Sequence, residues 1–244
     1  MSTDSSFEKT APSLDAAERQ ITSKIKLSLR GETTHLTNPL FAINWFDARP
    51  AWVYHVYNLL ASSRLTKIGG KALFKGRVAH QLSGDESLAR QHLLIVNYPS
   101  ADHFLNLVAD KVFQVFSVLR MMSVRRFSFV MHRRLDEGGR SIDGSENSTA
   151  VLHFASQDPE ATLRRIEAAA AEADVRVVFV GREAVRVFSE SQGDENAMEF
   201  VTPNTMLLTS ATDDGLKRLF TESPMQDVLA QTTQHYAAIL KRSV

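Results

Sequence analysis

The sequence predicts an α+β protein built from two tandem ferredoxin-like βαββαβ units that form a pseudo-dimeric α+β barrel. The first observation is the order strand, helix, strand, strand, helix, strand between residues 39 and 135. The second is a Gly-, Ser- and Asp-rich segment at residues 136–148, which is typical of a linker. The third is the return of the same element order in residues 149–244, which indicates a duplication.

The first unit (residues 39–135) begins with a strand and a helix. The strand LFAINWF, residues 40–46, is apolar at almost every position, as expected of a strand buried on both faces. Pro50 opens the helix, and Gly69-Gly70 ends it. The spacing predicts one core face and a second stripe beside it: Val53, Val56, Tyr57 and Leu60 form the first, and Trp52, His55 and Leu59 form the second.

The rest of the first unit contains a hairpin, a capped helix and an unusually apolar segment. KALFKGRVAHQL predicts a strand with a bulge or bend at Gly76, and HLLIVNY is its hairpin partner. Ser100 is expected to cap the next helix. Residues 112–122 are apolar in nearly every direction, so this helix must be buried on all sides or face a pocket or a partner. RFSFVMH is the closing strand.

The second unit (residues 149–244) repeats the first in its element order. MLLTSATDDGLKRLFTESPMQDVLAQT overlays LIVNYPSADHFLNLVADKVFQVFSVLR at a constant offset of 112, which places Gln114 on Gln226 and Arg120 on Thr232. A ferredoxin-like unit leaves one face of its sheet bare, and a bare apolar face is untenable in water. We therefore expect the two sheets to cover each other within one chain, or each to pair with a second chain.

Composition excludes several classes of protein and site. The chain has no cysteine, which excludes disulfides, thiolate nucleophiles and cysteine-bound metals. It has neither an apolar run of about 18 residues nor a secretory signal, so a cytoplasmic protein without a membrane partner is expected. Residues 1–135 carry 18 Lys and Arg against 10 Asp and Glu, whereas residues 149–244 carry 9 against 14. The first half could attract a small anion, but the favoured interpretation is that the two halves complement each other within a chain or across a dimer. The scattered basic residues do not indicate nucleic-acid binding. Residues 1–38 are expected to form an N-terminal arm, partly disordered.

The first unit resembles the domain of unknown function 1330 family of the dimeric α+β barrel superfamily. The resemblance lies in KIGGKALFKGRV, in the LLIVNYPSADHF turn and in VFQVFSVLR, and Gly69, Gly70, Pro99, Ser100 and Arg120 match the family pattern. The second unit lacks the Gly-Gly pair and the arginine and is similar only to the superfamily. The resemblance implies the fold, and it admits cofactor-independent monooxygenases, cyclases and isomerases as well as haem enzymes that resemble chlorite dismutase.

Arg120 is the main candidate for a binding residue. It lies in the most apolar part of the chain, and a buried guanidinium needs a partner because an unpaired charge in an apolar environment is very costly. That partner is either the carboxylate or phosphate of a ligand, or a structural contact such as a salt bridge. In the first case we expect an apolar pocket between the sheet and the helices of the first unit, lined by Trp45, Phe113, Phe116 and Met121 with Arg120 as anion anchor, and with Asn44 and His55 nearby.

Several histidines are further candidates, each with a structural alternative. His55 could act as a general base at the edge of the pocket, or could lie at the rim of a core. His80 and His92 flank the hairpin and could form half of a metal site, but no third ligand is evident and no metal is predicted. His153 and His235 are the axial haem-ligand candidates of the second unit. His153 also occupies the position equivalent to Asn44 when both are counted back from the helix-opening prolines, which suggests an inward-facing polar site.

Two functional hypotheses follow for this chain. The first is a protein that binds a small apolar anion in the first unit, or a cofactor-independent enzyme that acts on such a molecule. The second is a non-catalytic module whose segment 112–122 docks either a partner protein or a second copy of the chain, and a homodimer would form in the latter case. No cofactor is predicted, and haem binding is a further alternative.

Overall fold

The structure is a computed structural model that describes residues 39–136, 142, 148–190 and 203–243. Within these ranges the first unit contains β1 (Leu40–Ala48), α1 (Ala51–Lys67), β2 (Lys71–Gly84), a 3-10 turn (Glu86–Leu88), β3 (His92–Tyr98), α2 (Ala101–Ala109), α3 (Lys111–Ser123) and β4 (Val124–Arg134). The second contains β5 (Ser148–Ala155), α4 (Pro159–Glu172), β6 (Arg176–Glu190), β7 (Asn204–Ser210), α5 (Asp213–Thr221), α6 (Ser223–Leu229) and β8 (Gln234–Arg242).

The eight strands form one closed antiparallel barrel in the order β1-β3-β2-β8-β5-β7-β6-β4. Within each unit the spatial order is that of a ferredoxin-like sheet, with the first and third strands in the centre. The β2–β8 and β4–β6 pairs join the two sheets edge to edge. The predicted fold class is confirmed, and the two sheets of a single chain cover each other.

Strand β1 shows how the barrel sorts its side chains. Phe41, Ile43 and Trp45 point into the barrel, where they pack with residues of both units. Leu40 and Ala42 point outward, into the core beneath the helices of the first unit. Both faces of the strand are therefore buried, as its continuous apolar run predicts.

The repeat is visible in individual contacts. Helices α2 and α5 begin and end 112 residues apart. The Gln114 Nε2 atom donates a hydrogen bond to the Val108 carbonyl at 3.0 Å, and Gln226 donates the matching bond to the Phe220 carbonyl. Each glutamine satisfies a carbonyl near the end of the preceding helix, where the backbone leaves such groups without an intrahelical partner. Helices α3 and α6, which follow these glutamine contacts, differ in length. Helix α6 ends at Leu229, whereas α3 continues to Ser123, and the additional residues of α3 include Arg120.

Helix α1 is rotated from its predicted orientation. Its buried residues are Val53, Tyr54 and Tyr57, whereas Val56 and Leu60, predicted to face the core, are exposed. The helix packs along α3 more than on the sheet, which turns the Tyr54 side inward. Its end is as predicted: Gly69 has a φ of 77°, and the hydrogen bonds of a Schellman motif close the last turn.

Strand β2 differs from its prediction in two respects. Gly76 itself stays in register, and the register shifts lie on either side of it, at Ala72/Phe74 and Val78/His80. A Cβ at Gly76 would lie 2.7 Å from the Phe74 ring, so close packing explains this glycine. The two hairpin histidines are not neighbours, because His80 pairs with Ile239 of β8 and His92 with Arg77. The two histidines therefore do not form the half of a metal site that was considered for them.

Some predictions concern residues outside the described ranges. These are the N-terminal arm of residues 1–38 and most of the linker of residues 136–148. None of the helices in the described ranges has the length and apolar content needed to cross a membrane.

Candidate functional site

A cavity of about 420 Å³ lies between the outer face of the first unit's sheet and helices α1, α2 and α3. Its walls are mostly aromatic and aliphatic, with tyrosines, amides and basic side chains among them. The lining includes Asn44, Phe46, Tyr54, His55, Tyr57, Leu94, Tyr98, Phe104, Phe113, Gln114, Ser117, Arg120, Met121, Arg126, Phe127 and Phe129. In the second unit the matching region is a packed core that contains Ile166, Leu216, Phe220, Met225 and Leu229.

Five of the predicted pocket residues line this cavity: Asn44, His55, Phe113, Arg120 and Met121. The structure therefore brings together the proposed anchor, both predicted polar neighbours and two of the predicted apolar ones. His55 lies on an exposed part of α1 at the rim, so its catalytic role stays a prediction.

Trp45 and Phe116 were predicted to line the pocket and do not. Trp45 is fully buried inside the barrel, where its Nε1 atom donates to the Leu88 carbonyl at 3.1 Å and its ring lies 4.9 Å from that of His153. Side chains alternate across a strand, so Asn44 can face the helices only if Trp45 faces the interior. Phe116 packs instead into the cluster of Phe46 and neighbouring α1 residues.

Arg120 lies in the last part of α3 with its guanidinium over an aromatic wall. Its Cζ atom is 4.2 Å from the centroid of the Phe127 ring and 5.9 Å from that of Phe129. No aspartate or glutamate lines the cavity, and within the described ranges Arg120 forms no ion pair. Stacking of this kind contributes roughly 0.5–2 kcal/mol and leaves the planar donors of a guanidinium available at its edge.

Three buried tyrosines surround the cavity. Burial raises the pKa of Tyr54, Tyr57 and Tyr98 above the ordinary phenol value, and for Tyr57 the charge and hydrogen bond of Arg120 partly oppose that rise. All three are therefore neutral phenols at physiological pH and can donate a hydrogen bond to an acceptor in the cavity. No pattern in the sequence singles out these three tyrosines, because they come from two elements and meet only in the folded chain.

Asn44 is held by the backbone. Its Nδ2 atom donates to the Leu94 carbonyl at 3.1 Å and to the Ala42 carbonyl at 3.3 Å, so it is a hydrogen-bonded polar group at the cavity floor. The predicted equivalence with His153 is wrong. Asn44 pairs with Leu94 in the first unit. In the second unit, the residue 112 positions after Leu94 pairs with Leu152. Asn44 therefore corresponds to Leu152, and His153 corresponds to Trp45.

The basic side of the cavity includes Arg126, which has a structural role. Asp47 is buried beside it and accepts hydrogen bonds from the Arg126 Nε atom at 2.6 Å and from the Gln91 backbone at 2.9 Å. This pair lies where the β1–β4 register shifts. Since Asp47 neutralises Arg126, Arg120 is the better placed of the two for an external anion.

The haem alternative does not fit the predicted ligands. His153 is fully buried inside the barrel, where its Nδ1 atom is hydrogen-bonded to Thr205 Oγ1 at 2.9 Å. His235 contacts Ser83 Oγ through Nε2 and Thr232 Oγ1 through Nδ1, both at 3.0 Å. Neither lines the cavity. Among the described residues, no group of three or more metal-ligating side chains occurs.

Comparison with known proteins shows that structures with a similar fold exist. No family model and no curated protein matches the sequence. An anthrone oxidase-like protein of known structure is similar in fold, with 9% identity and a TM-score of 0.53 over 85% of this chain and 92% of that chain. A mutant chlorite dismutase from Candidatus Nitrospira defluvii is similar over 88% of this chain and 95% of that chain, with 10% identity and a TM-score of 0.51. The chain has the dimeric α+β barrel fold. Membership of the domain of unknown function 1330 family stays a prediction, since no family model supports it.

Proposed function

We propose that this single-chain α+β barrel binds a small apolar molecule with one anionic group in the cavity of its first unit. The observation that carries the proposal is Arg120: among the residues that the structure describes, no aspartate or glutamate lines its cavity, and its guanidinium lies over an aromatic ring. A cation in such a site favours an anionic partner, because the apolar surroundings strengthen their attraction.

The size and walls of the cavity support an aromatic or otherwise bulky apolar body for this ligand. A volume of about 420 Å³ lies within the range of small-molecule sites. Phe104, Phe113 and Phe129 provide apolar walls, and burial of such a ligand against them supplies most of the binding free energy.

The polar groups support a defined orientation for the ligand. Arg120 would hold the anionic group, and the neutral phenol of Tyr57, which is close to Arg120, would donate a second hydrogen bond to it. The cation–π contact with Phe127 restrains the guanidinium before the ligand arrives, so less conformational entropy is lost on binding.

The test uses naphthoate and its neutral counterpart naphthamide as probes in isothermal titration calorimetry. The unaltered chain is expected to bind naphthoate more tightly. Arg120→Gln is expected to weaken naphthoate binding by roughly 10- to 100-fold, the loss of a hydrogen bond to a charged group, and to change naphthamide binding little. Arg133→Gln, which removes an exposed arginine outside the cavity, is the matched control.

Two results would overturn the proposal. One is equal affinity for the two probes in the unaltered chain, since the site would then not select an anion. The other is an Arg120→Gln chain that fails to fold, as seen by circular dichroism, because the guanidinium would then be a structural group stacked on Phe127.

A further inference from the structure

The outer side of the first unit's helices carries an exposed apolar surface, which we name the α1–α3 face. Segment 112–122 is divided between this face and the cavity: Phe113, Arg120 and Met121 line the cavity, whereas other apolar residues point away from it. The exposed apolar residues of the α1–α3 face are Trp52, Val56 and Leu60 of α1 and Val112, Val115 and Met122 of α3, whereas the exposed Leu59 lines the cavity. Trp52 is 70% exposed and Val115 67%.

The two helices lie side by side and run in opposite directions. At one end the Arg49 backbone N–H donates to the Ser123 carbonyl at 2.7 Å, which joins the start of α1 to the end of α3. At the other end Arg64 near the end of α1 lies 3.7 Å from Asp110, which caps the start of α3. The exposed stripes of the two helices therefore lie next to each other on the same layer and form a single surface.

Basic residues flank this surface at both ends. Neither α1 nor α3 contains an aspartate or a glutamate. Arg49 and Arg125 are exposed at the end that holds Trp52 and Met122. Lys67 and Lys111 are exposed at the opposite end. The acidic residue between the helices, Asp110, accepts hydrogen bonds from the α3 backbone and lies beside Arg64.

This charge distribution decides between two kinds of partner. Packing against the same face of a second copy would bring cations against cations with few compensating carboxylates, which is destabilising. An anionic lipid surface complements the basic ends, and its acyl region accepts the apolar centre. A tryptophan at the edge of such a face is also typical of residues that lie at a membrane–water interface.

We propose that the α1–α3 face binds peripherally to an anionic bilayer, with Trp52 and Val115 in contact with the acyl region and the flanking Lys and Arg residues at the headgroups. The sequence was expected to have no membrane partner because it lacks an apolar run of about 18 residues, and that criterion does not detect a helix face that binds peripherally. The inference does not depend on the cavity ligand, since Trp52 and Val115, and with them Arg49, Lys67 and Lys111, lie outside the cavity lining.

The chain contains two tryptophans, which makes the test direct. Trp45 is fully buried in the barrel, so a change in fluorescence on lipid binding reports Trp52. The full chain is mixed with vesicles of phosphatidylcholine alone or of phosphatidylcholine with phosphatidylglycerol, each with and without brominated acyl chains. We expect a blue shift and bromine quenching only with phosphatidylglycerol, both absent from a Trp52→Phe variant. Lys67→Gln and Lys111→Gln are each expected to weaken partitioning about fivefold.

The Val115→Glu variant tests whether vesicle binding requires this particular surface rather than any exposed apolar residue. It is expected to abolish co-sedimentation with the anionic vesicles, whereas Leu135→Glu, at a position 41% exposed outside both helices, is expected to retain it. Absence of quenching with every vesicle would overturn the proposal. So would a concentration-dependent dimer in light scattering that Val115→Glu dissociates while the vesicles remain unbound, because the face would then pair two copies of the chain.

Discussion

His153 is expected to make the stability of this protein depend on mildly acidic pH. Its ring is fully buried between the Trp45 ring and Thr205 Oγ1, and a second histidine, His132, is close enough to disfavour its charged form. Burial and that neighbour lower the pKa of His153 from the ordinary value of 6.5 to about 3. The folded protein therefore holds this ring neutral well below the pH at which an unfolded chain would protonate it.

The sign and size of the effect follow from linkage. Because the pKa is lower in the folded state, the unfolded state binds more protons below pH 6.5, and the stability present above that pH is lost as the pH falls toward 3. Between pH 7 and pH 5, these two pKa values correspond to a loss of about 2 kcal/mol in the free energy of unfolding.

Urea unfolding at pH 7 and pH 5 measures this loss in the unaltered chain and in His153→Gln. Glutamine keeps a polar partner for Thr205 but does not titrate, so the variant is expected to lose about 2 kcal/mol less between the two pH values. Contributions of groups that do not interact with His153 cancel in this double difference, whereas that of His132 does not. His235→Gln is the matched control, since His235 is only partly buried and its pKa is lowered by burial alone. A double difference near zero would refute the reasoning, because His153 would then titrate alike in both states.

Two further changes test the packing and the repeat. Gly181→Ala is expected to lower the free energy of unfolding by roughly 1–3 kcal/mol, because the new methyl group would lie 2.7 Å from His132 Nδ1 and 2.8 Å from the Phe179 ring. An unchanged thermal midpoint would show that these neighbours move aside freely. Gln114→Ala and Gln226→Ala are each expected to cost about 1 kcal/mol in urea unfolding, since each removes the same bond to a helix-end carbonyl. A loss in one unit alone would contradict the equivalence of the two bonds.

The order of elements and the duplication could be predicted from the sequence because local signals mark them. Gly69-Gly70 stops α1, Ser100 is the N-cap residue of α2, and the offset of 112 aligns α2 with α5. The capping hydrogen bond expected from Ser100 is not formed, because the Ser100 hydroxyl is hydrogen-bonded to His103 Nδ1 rather than to the helix backbone. These signals depend on neighbours in the chain, so they identify elements but not their orientations.

The faces of β1 and α1 could not be predicted, because their sequences are apolar on more than one side. In β1 both faces are covered, and only the pairing with β3 and β4 assigns Asn44 to the helices and Trp45 to the interior. In α1 more than one side of the helix carries apolar or aromatic residues, and packing against α3 buries the side that includes Tyr54, which belongs to neither predicted stripe.

The candidate site was predicted where one residue stood out from its surroundings and missed where residues meet from distant elements. A charged side chain among apolar neighbours identified Arg120 together with Phe113 and Met121. Tyr57 and Tyr98 approach the site from α1 and β3, and no local pattern connects those two elements. The same limitation explains the error for His80, since the long β2 strand pairs with β8 of the other unit.

Because a single polypeptide supplies all eight strands, the barrel closes within one molecule and does not require the association of two chains. In an assembly of identical subunits every substitution occurs at each symmetry-related place. Here a substitution affects one unit alone. The second unit can therefore keep its apolar core while the first unit contains a cavity. The second unit can then maintain the barrel, so the residues that line the cavity of the first unit can vary without loss of the strand pairs that close the barrel.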